Sequence, residues 1–354
     1  MLRWSLLLLA ALSAACASTT APVPPPEERL VVVNAGDNSL SVVSTDSSRA
    51  PGRIQLGPVD GAPADVAARD ETAVVALAGR DEVVVADLRA ETIRRTIHLP
   101  PGSRPTAVVF ASDAVVYVAN AHSNTVTRID ITSGDTASVA VGTYPRDLIL
   151  TRGRLFVVNG NVGPCPAGTC SIGPSWLTVV DPKTNARAQG VDSIPLLAQG
   201  NARSTALGGD GLLYVVSTGD VGTAIQGRLT IVDPIRREEV GSFGGFGLIP
   251  IGVAAGGSDR LFVTSTRDGL MEFNTRTRRV VRGAGQGVLV TENVAVAVDL
   301  QGRIYAVESS GCGGGVGGRL RVFRPDLTEA RSVPIGPCPV AITVVQLPGL
   351  AAVD

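Results

Sequence analysis

The sequence has few of the side chains on which catalytic, nucleic-acid-binding and membrane-spanning proteins depend. It contains two histidines, a single lysine among its 31 basic residues, and only 4% aromatic residues. The net charge of −1 argues against strong nonspecific nucleic-acid binding, which needs a basic surface, and the few aromatics leave little for bases to stack on. Beyond the N-terminal segment, no apolar run reaches membrane-spanning length. We therefore expect no nucleic-acid partner.

Helical periodicity is also missing, and the pattern of short β-strands takes its place. Val, Ile, Leu and Thr cluster in runs of four to six residues between Gly, Pro, Asn and Asp. One such run, Tyr117-Val-Ala-Asn120, is followed by a polar turn and by a second strand that ends at Asp130. The same pattern recurs, and the equivalents of Asn120 are Asn34, Leu77, Asn159, Ser217, Ser265 and Glu308.

The spacing of these seven copies, between 39 and 58 residues, predicts the fold. A repeat of about 40–50 residues built from short strands is typical of a β-propeller with one four-stranded blade per copy. We therefore predict an all-β, seven-bladed β-propeller over residues 29–346, with a C-terminal tail at 347–354. The first strand of the chain, at residues 30–34, has the pattern of the second strand of a blade. The last strand of the chain, at residues 338–345, has the pattern of the innermost strand of a blade. Three N-terminal strands and one C-terminal strand should thus complete one blade and close the ring.

The repeated motif resembles that of a known family. Tyr117-Val-Ala-Asn120 and the Gly–x–x–Pro pairs, such as Gly142-Thr-Tyr-Pro145, are similar to motifs of the YVTN-repeat β-propellers. The resemblance covers nearly all of residues 29–346. It implies several functions, because members include bacterial surface and periplasmic proteins, lactonase-like enzymes, and ligand- or DNA-binding proteins. The function therefore has to be argued from the site.

The N-terminal segment has the pattern of an export signal. A basic residue and an apolar run precede Ser13-Ala-Ala-Cys16. This stretch resembles the lipobox of bacterial lipoproteins, although Ser13 stands where that family usually has Leu. We expect a signal peptide at residues 1–15, a lipid on Cys16 and a Pro-rich tether at 16–28 that holds the protein to a membrane of the bacterial cell envelope. The alternative is a secretory signal that is cleaved beside Cys16 and leaves no lipid.

Four cysteines remain after Cys16, and an even number in an exported protein predicts disulfides. In a propeller, the loops between second and third strands emerge on the same face as the crossings between blades. We call this the loop face. Cys165 and Cys170 share one such loop in blade 4, Cys312 lies in that of blade 7, and Cys338 lies in the crossing beside it. This placement predicts the pairs 165–170 and 312–338. A metal site is the weaker alternative, since the spacings match no zinc pattern.

Candidate catalytic side chains are few. We expect His98 on the surface of an outer strand, and His122 in a polar turn of the loop face without a visible partner for acid–base chemistry. The Gly-rich stretch 313–318 resembles a phosphate loop only in composition, because no helix follows it. No metal site or cofactor is predicted, although Ca²⁺ on Glu292 or Glu308 would suit carboxylate ligands.

Charged residues gather where the inner strands begin, at the mouth of the central channel. They could form salt bridges with one another around a wet channel, or the arginines could hold a small polar or anionic ligand. The long loops of blades 4, 5 and 7, at residues 160–175, 218–227 and 309–318, surround the same face. The charged candidates are Asp65, Arg104, Arg146, Asp147, Arg203 and Glu292.

Three functions are compatible with these patterns. The first is a monomeric, membrane-anchored binding or scaffold module, whose loop face takes a small ligand or a protein partner. The second is a lactonase-like hydrolase, which would require His, Glu and Arg side chains that converge on the channel. The third is an accessory subunit or sensor of a redox enzyme. The scarcity of histidine and of paired nucleophiles and bases favours the first.

Overall fold

The computed structural model describes residues 25–349, apart from 47–48, 166–167, 198–199, 221–224, 258 and 313–314, and apart from the side chains of 168 and 169. The predicted signal peptide, Cys16 and most of the tether lie outside the described residues. Within the described ranges, no helix is long and apolar enough to cross a membrane.

Antiparallel strands account for nearly all of the regular structure. Blade 1 contains β1 (Glu27–Asn34), β2 (Ser39–Ser44) and β3 (Gly52–Gln55). After a 3₁₀ turn at Val59–Gly61, blade 2 contains β4 (Pro63–Arg69), β5 (Thr72–Leu77), β6 (Glu82–Asp87) and β7 (Thr92–His98). Blade 3 contains β8 (Pro105–Phe110), β9 (Val115–Asn120), β10 (Thr125–Asp130) and β11 (Thr136–Ala140).

Blade 4 departs from this plan. It contains β12 (Pro145–Thr151), β13 (Arg154–Asn159), β16 (Trp176–Asp181), β17 (Ala186–Arg187) and β18 (Ser193–Pro195), and a separate hairpin is formed by β14 (Val162–Cys165) and β15 (Gly168–Ser171). Blade 5 contains β19 (Ala202–Leu207), β20 (Leu213–Ser217), β21 (Arg228–Asp233) and β22 (Glu238–Phe243). Blade 6 contains β23 (Pro250–Gly256), β24 (Arg260–Ser265), β25 (Gly269–Asn274) and β26 (Arg279–Arg282). Blade 7 contains β27 (Asn293–Val298), β28 (Ile304–Glu308), β29 (Gly317–Phe323) and β30 (Glu329–Pro337), and the last strand, β31 (Pro339–Leu347), returns to blade 1.

The closure of the ring confirms the prediction from the repeats. β31 pairs antiparallel with β1, and blade 1 therefore has the strand order β3-β2-β1-β31. The pairing runs from Glu27 opposite Leu347 to Asn34 opposite Pro339. The strands thus extend beyond the predicted domain bounds of 29 and 346. The ladder includes Leu347 because this side chain is fully buried in the core. β1 begins at Glu27 and thus includes the last two residues of the predicted tether, which spans 16–28.

The hydrophobic core is divided into clusters that lie between neighbouring blades. Tyr117 packs with Leu148 and Leu155 between blades 3 and 4, and Tyr305 packs with Leu30 between blades 7 and 1. Aromatic residues begin the repeated motif in five copies, and all of them are almost completely buried. Because each ring removes a large apolar area from water, the motif stabilises the contact between blades.

The asparagine of the motif has a structural role. The side-chain amide of Asn120 is fully buried and donates hydrogen bonds to the hydroxyls of Thr125 (3.0 Å) and Thr127 (2.8 Å) on the next strand. Asn34 makes the equivalent bonds to two serines of β2. A buried amide is unfavourable unless it is hydrogen-bonded, so the Ser and Thr residues of the third strand accompany the asparagine.

The glycine of the Gly–x–x–Pro pair makes room for this asparagine. A Cβ on Gly142 would lie 2.4 Å from the amide carbon of Asn159, and one on Gly336 would lie 2.5 Å from that of Asn34. The backbone N–H of Gly142 also donates a 3.0 Å hydrogen bond to the Asn159 side chain. The two halves of the repeat motif therefore fit together at the crossing between blades.

Candidate functional site

All seven inner strands begin with the same backbone conformation. The residue before each strand has a positive φ between 43° and 61°, and the second residue of the strand is a β-bulge without a partner on the neighbouring strand. The positive-φ residues are Ala62, Arg104, Tyr144, Asn201, Ile249, Glu292 and Cys338. Because alanine and isoleucine share this conformation, it is a property of the fold and not a sign of strain at a functional residue.

The bulged residues form a ring around the channel and divide it into two arcs. Blades 3, 4 and 5 contribute Thr106, Arg146 and Arg203, whereas blades 6, 7, 1 and 2 contribute only apolar side chains. The apolar set is Ile251, Val294, Val340 and Ala64. The channel encloses about 290 Å³, which lies at the lower end of the range for small-molecule sites.

Arg146 and Arg203 are the cationic groups of this channel. Burial lowers the pKa of Arg146 to about 10, and the positive charges of Arg203 and Arg104 contribute to the shift. Burial also lowers the pKa of Arg203, although part of its side chain remains exposed to solvent. The guanidinium of Arg146 lies 4.8 Å from the ring centre of Tyr144, and its buried Nε has no hydrogen-bond partner among the described atoms.

Asp65 and Asp147 lie one residue deeper in their strands. Asp65 accepts a 2.9 Å hydrogen bond from the backbone of Val108 in the next blade, and Asp147 accepts one of 2.6 Å from the backbone of Thr205. Burial raises the pKa of Asp65 to about 7 and that of Asp147 to about 8. The charge of Asp65 contributes to the shift of Asp147, so the two carboxyls lie within electrostatic range of each other.

Arg104 lies outside the channel lining. Its Nη1 is 3.0 Å from Nε2 of His122. Since arginine can only donate, Nε2 of His122 is the acceptor in this contact. The pair borders two side cavities of the loop face, one of about 300 Å³ between blades 2 and 3 and one of about 440 Å³ that Tyr144 also lines.

The two glutamates considered for Ca²⁺ also lie apart from the channel. Glu292 is exposed before β27, and its carbonyl accepts a hydrogen bond from the backbone of Ser309. Glu308 forms a 3.3 Å ion pair with Arg321. Within the part of the chain that the structure describes, no three His, Cys, Asp or Glu side chains converge as metal ligands would.

Salt bridges within the channel do not explain its charges. Among the described residues, none of the ion pairs joins any two of the six charged candidates, and Arg146 and Arg203 have no carboxylate partner at all. The channel instead holds two guanidiniums without a carboxylate partner and, one strand residue deeper, two half-buried carboxyls. An arrangement of this kind can accept a charged ligand.

Both predicted disulfides are present. Cys165 is bonded to Cys170 within the β14–β15 hairpin, and Cys312 is bonded to Cys338 at the start of β31. The bonds indicate an oxidising, extracytoplasmic location. As expected, His98 is a surface residue of an outer strand, 3.2 Å from the carboxylate of Glu82.

Sequence reasoning missed Tyr144 and the β14–β15 hairpin, and it did not distinguish the two arcs of the channel. The arcs could have been found by aligning the seven inner strands on their second residue, because that residue alone contains the contrast between Arg146 or Arg203 and the aliphatic side chains. The contact of Tyr144 with Arg146 had no such signal, because it depends on the turn that positive φ gives to Tyr144.

The fold and the channel define the class of protein, a seven-bladed β-propeller with an amphipathic channel. No family model and no curated protein matches the sequence. Similar solved structures include Kuenenia stuttgartiensis hydrazine synthase, with a TM-score of 0.61, 16% identity, and coverage of 83% of this chain and 97% of that one. A streptogramin B lyase has a TM-score of 0.63 and 12% identity over 81% of this chain and 91% of that one. Virginiamycin B lyase from Staphylococcus aureus has a TM-score of 0.59 and 13% identity over 78% and 85%.

These likenesses extend the fold assignment and go no further. Identities of 12–16% show a shared propeller architecture and assign no activity to this chain. Membership of the YVTN-repeat family stays a prediction that rests on the repeated motif.

Proposed function

We propose that this protein is an extracytoplasmic binding module that holds a small anion at the loop-face mouth of its channel and is tethered to a membrane through a lipid on Cys16. The observation that carries the proposal is the pair of unpaired guanidiniums, Arg146 and Arg203, on one arc of the channel.

The energetics of the pair support this function. A cation that is partly removed from water is unfavourable unless an anion or a set of acceptors compensates it. In Arg146 the lowered pKa records this desolvation together with the repulsion of two neighbouring arginines, and the buried Nε lacks an acceptor. An anionic ligand between Arg146 and Arg203 would relieve both effects. Guanidinium groups suit this task because they present paired donors to planar carboxylates and to phosphate oxygens.

The surroundings of the channel mouth are suited to recognition. The long loops of blades 4, 5 and 7 stand on a rigid ring at this face, and binding surfaces concentrate on loops of this kind. A lactonase-like hydrolase has less support, because its candidate residues are separated. His122 pairs with Arg104 beside the channel, Glu308 pairs with Arg321, and Glu292 is exposed in blade 7.

The test is a binding titration of the purified protein with phosphate, sulfate, acetate and citrate. Arg146→Ala and Arg203→Ala should each weaken the best of these anions by about 1.5–3 kcal/mol, the scale of a hydrogen bond to a charged group. Arg236→Ala is the matched control, because Arg236 is exposed in the turn after β21 on the opposite face. Affinity that survives both channel substitutions would contradict the proposal.

A second candidate is a scaffold for another protein, and a separate observation favours it. Among the described residues, the three long loops each carry an exposed large aliphatic side chain, namely Ile172, Ile225 and Val316. Removal of residues 160–175 should then abolish partner binding, whereas Arg146→Ala and Arg203→Ala should have little effect. This contrast separates the scaffold from the anion site.

A further inference from the structure

The channel presents charges of both signs and an apolar wall to the same small volume. Arg146 and Arg203 lie at the bulge position, Asp147 lies one residue deeper, and an arc of aliphatic side chains faces the arginines. One residue of β-strand corresponds to a rise of about 3.3 Å. The remaining lining residues are Gly, Ser, Thr or apolar, so these arginines and the carboxyls of Asp65 and Asp147 are the titratable groups of the lining.

From this arrangement we infer that the ligand of the channel is a small amino acid with an apolar side chain, held by its carboxylate at Arg146 and Arg203 and by its ammonium at Asp65 and Asp147. This inference rests on the proposed function and adds the cationic and apolar halves of the ligand. A volume of about 290 Å³ lies at the lower end of the range for small-molecule sites, which favours a small ligand.

Among the described residues, neither the two arginines nor the two carboxyls form an ion pair. Asp65 accepts a hydrogen bond from the backbone of Val108 in the next blade. Asp147 accepts one from Leu148 in its own strand and one from Thr205 in the next blade. Neither carboxyl accepts one from the two arginines of the same channel. A ligand with only a negative charge would pair with the arginines and leave the carboxyls without a cationic partner. A zwitterion satisfies both, and the aliphatic arc of Ile251, Val294 and Val340 gives its side chain an apolar contact.

The buried carboxyls also predict a proton exchange. With pKa values of about 7 and about 8, Asp65 and Asp147 are partly protonated near neutral pH before a ligand binds. An ammonium group placed beside them favours the ionised form. Binding should therefore release protons from these carboxyls to the buffer, while the arginines and the ligand's ammonium keep theirs.

Three matched probes test the inference by calorimetry on the full-length protein. Leucine carries both charges, 4-methylpentanoate lacks the ammonium, and 3-methylbutylamine lacks the carboxylate. We expect leucine to bind at least tenfold more tightly than either analogue. Titrations at pH 7.5 in two buffers of different ionisation enthalpy should show net proton release with leucine and none with 4-methylpentanoate.

The variants localise each half of the ligand. Asp147→Asn should weaken leucine at least tenfold and leave 4-methylpentanoate unchanged, whereas Arg203→Ala should weaken both. Asp113→Asn, at an exposed site outside the channel, is the control. If Asp147→Asn fails to fold, the proton release of the unmodified protein decides the question.

The outcomes separate this inference from the anion site. Equal affinity for leucine and 4-methylpentanoate, with both lost in Arg203→Ala, would overturn the amino acid and keep the anion site. Equal affinity for leucine and 3-methylbutylamine, or leucine binding without proton release, would also overturn it. Failure of the carboxylates and of the inorganic anions to bind would overturn both proposals.

Discussion

Replacing Cys312 and Cys338 together by alanine removes the covalent link between the long loop of blade 7 and the strand that closes the ring. The substitution should be free of backbone strain, because Cys338 has a positive φ of 49° and Ala62 has one of 43° at the equivalent place in blade 2. The bond closes a loop of about 27 residues, which corresponds to about 3.5 kcal/mol in the chain-entropy description.

This free energy translates into a modest shift of the melting temperature. With an unfolding entropy of about 2.1 cal/mol/K per residue over a ring of about 320 residues, the loss corresponds to about 5 °C. Thermal and urea unfolding of the oxidised protein and the double variant measure both quantities. The ring should still fold, because a chain of this length buries enough apolar surface without the bond.

The other disulfide supplies the control. Cys165 and Cys170 lie in the β14–β15 hairpin, which belongs to none of the blade sheets and can open without unfolding the ring. Their double alanine variant should lower the melting temperature by less than about 1 °C on this reasoning. Equal shifts in the two variants would refute the argument that the Cys312–Cys338 bond stabilises the closure of the ring.

Three further predictions concern the asparagine motif, the channel carboxyls and the N-terminus. Asn120→Ala should destabilise the protein by about 2 kcal/mol in urea unfolding, because it removes the hydrogen bonds of the buried amide to Thr125 and Thr127. Burial raises the pKa of Asp65 to about 7 and that of Asp147 to about 8, so the folded protein binds more protons than the unfolded chain. Stability should therefore fall as the pH rises from about 4 to about 8, and Asp147→Asn should flatten this dependence. Labelling with a palmitate analogue should mark the wild type and not Cys16→Ser; label retained in the variant would disprove lipidation at this residue.

The fold could be predicted because its determinants are local and repeated. A run such as Tyr117-Val-Ala-Asn120 specifies a strand, and seven evenly spaced copies leave few architectures besides a propeller. The disulfides could be predicted from the same repeat, since the topology of a propeller alone places Cys312 beside Cys338. The start of each inner strand was also visible, because a proline such as Pro145 marks it in five of the seven blades.

The site could be predicted only in part. Arg146, Asp147 and Arg203 line the channel as expected, because their position after the first strand residue fixes their height in the ring. Arg104 and Glu292 precede the strand, and their positive φ puts them outside the lining. Neither the isolation of the arginines from the carboxyls nor the cavity beside Tyr144 could be derived from spacing, because both depend on how neighbouring blades pack.

The pairing of Glu27 with Leu347 has a consequence for orientation. β1 runs from Glu27 toward the loop face, so the chain enters and leaves the ring on the side away from the arginines. A Pro-rich stretch of about ten residues between Cys16 and β1 would span about 30 Å at about 3.1 Å per residue. Lipidation at Cys16 would therefore hold the ring next to the bilayer, with the loop face and its arginines directed toward the aqueous phase. Solutes could then enter and leave without crossing the zone of the lipid headgroups.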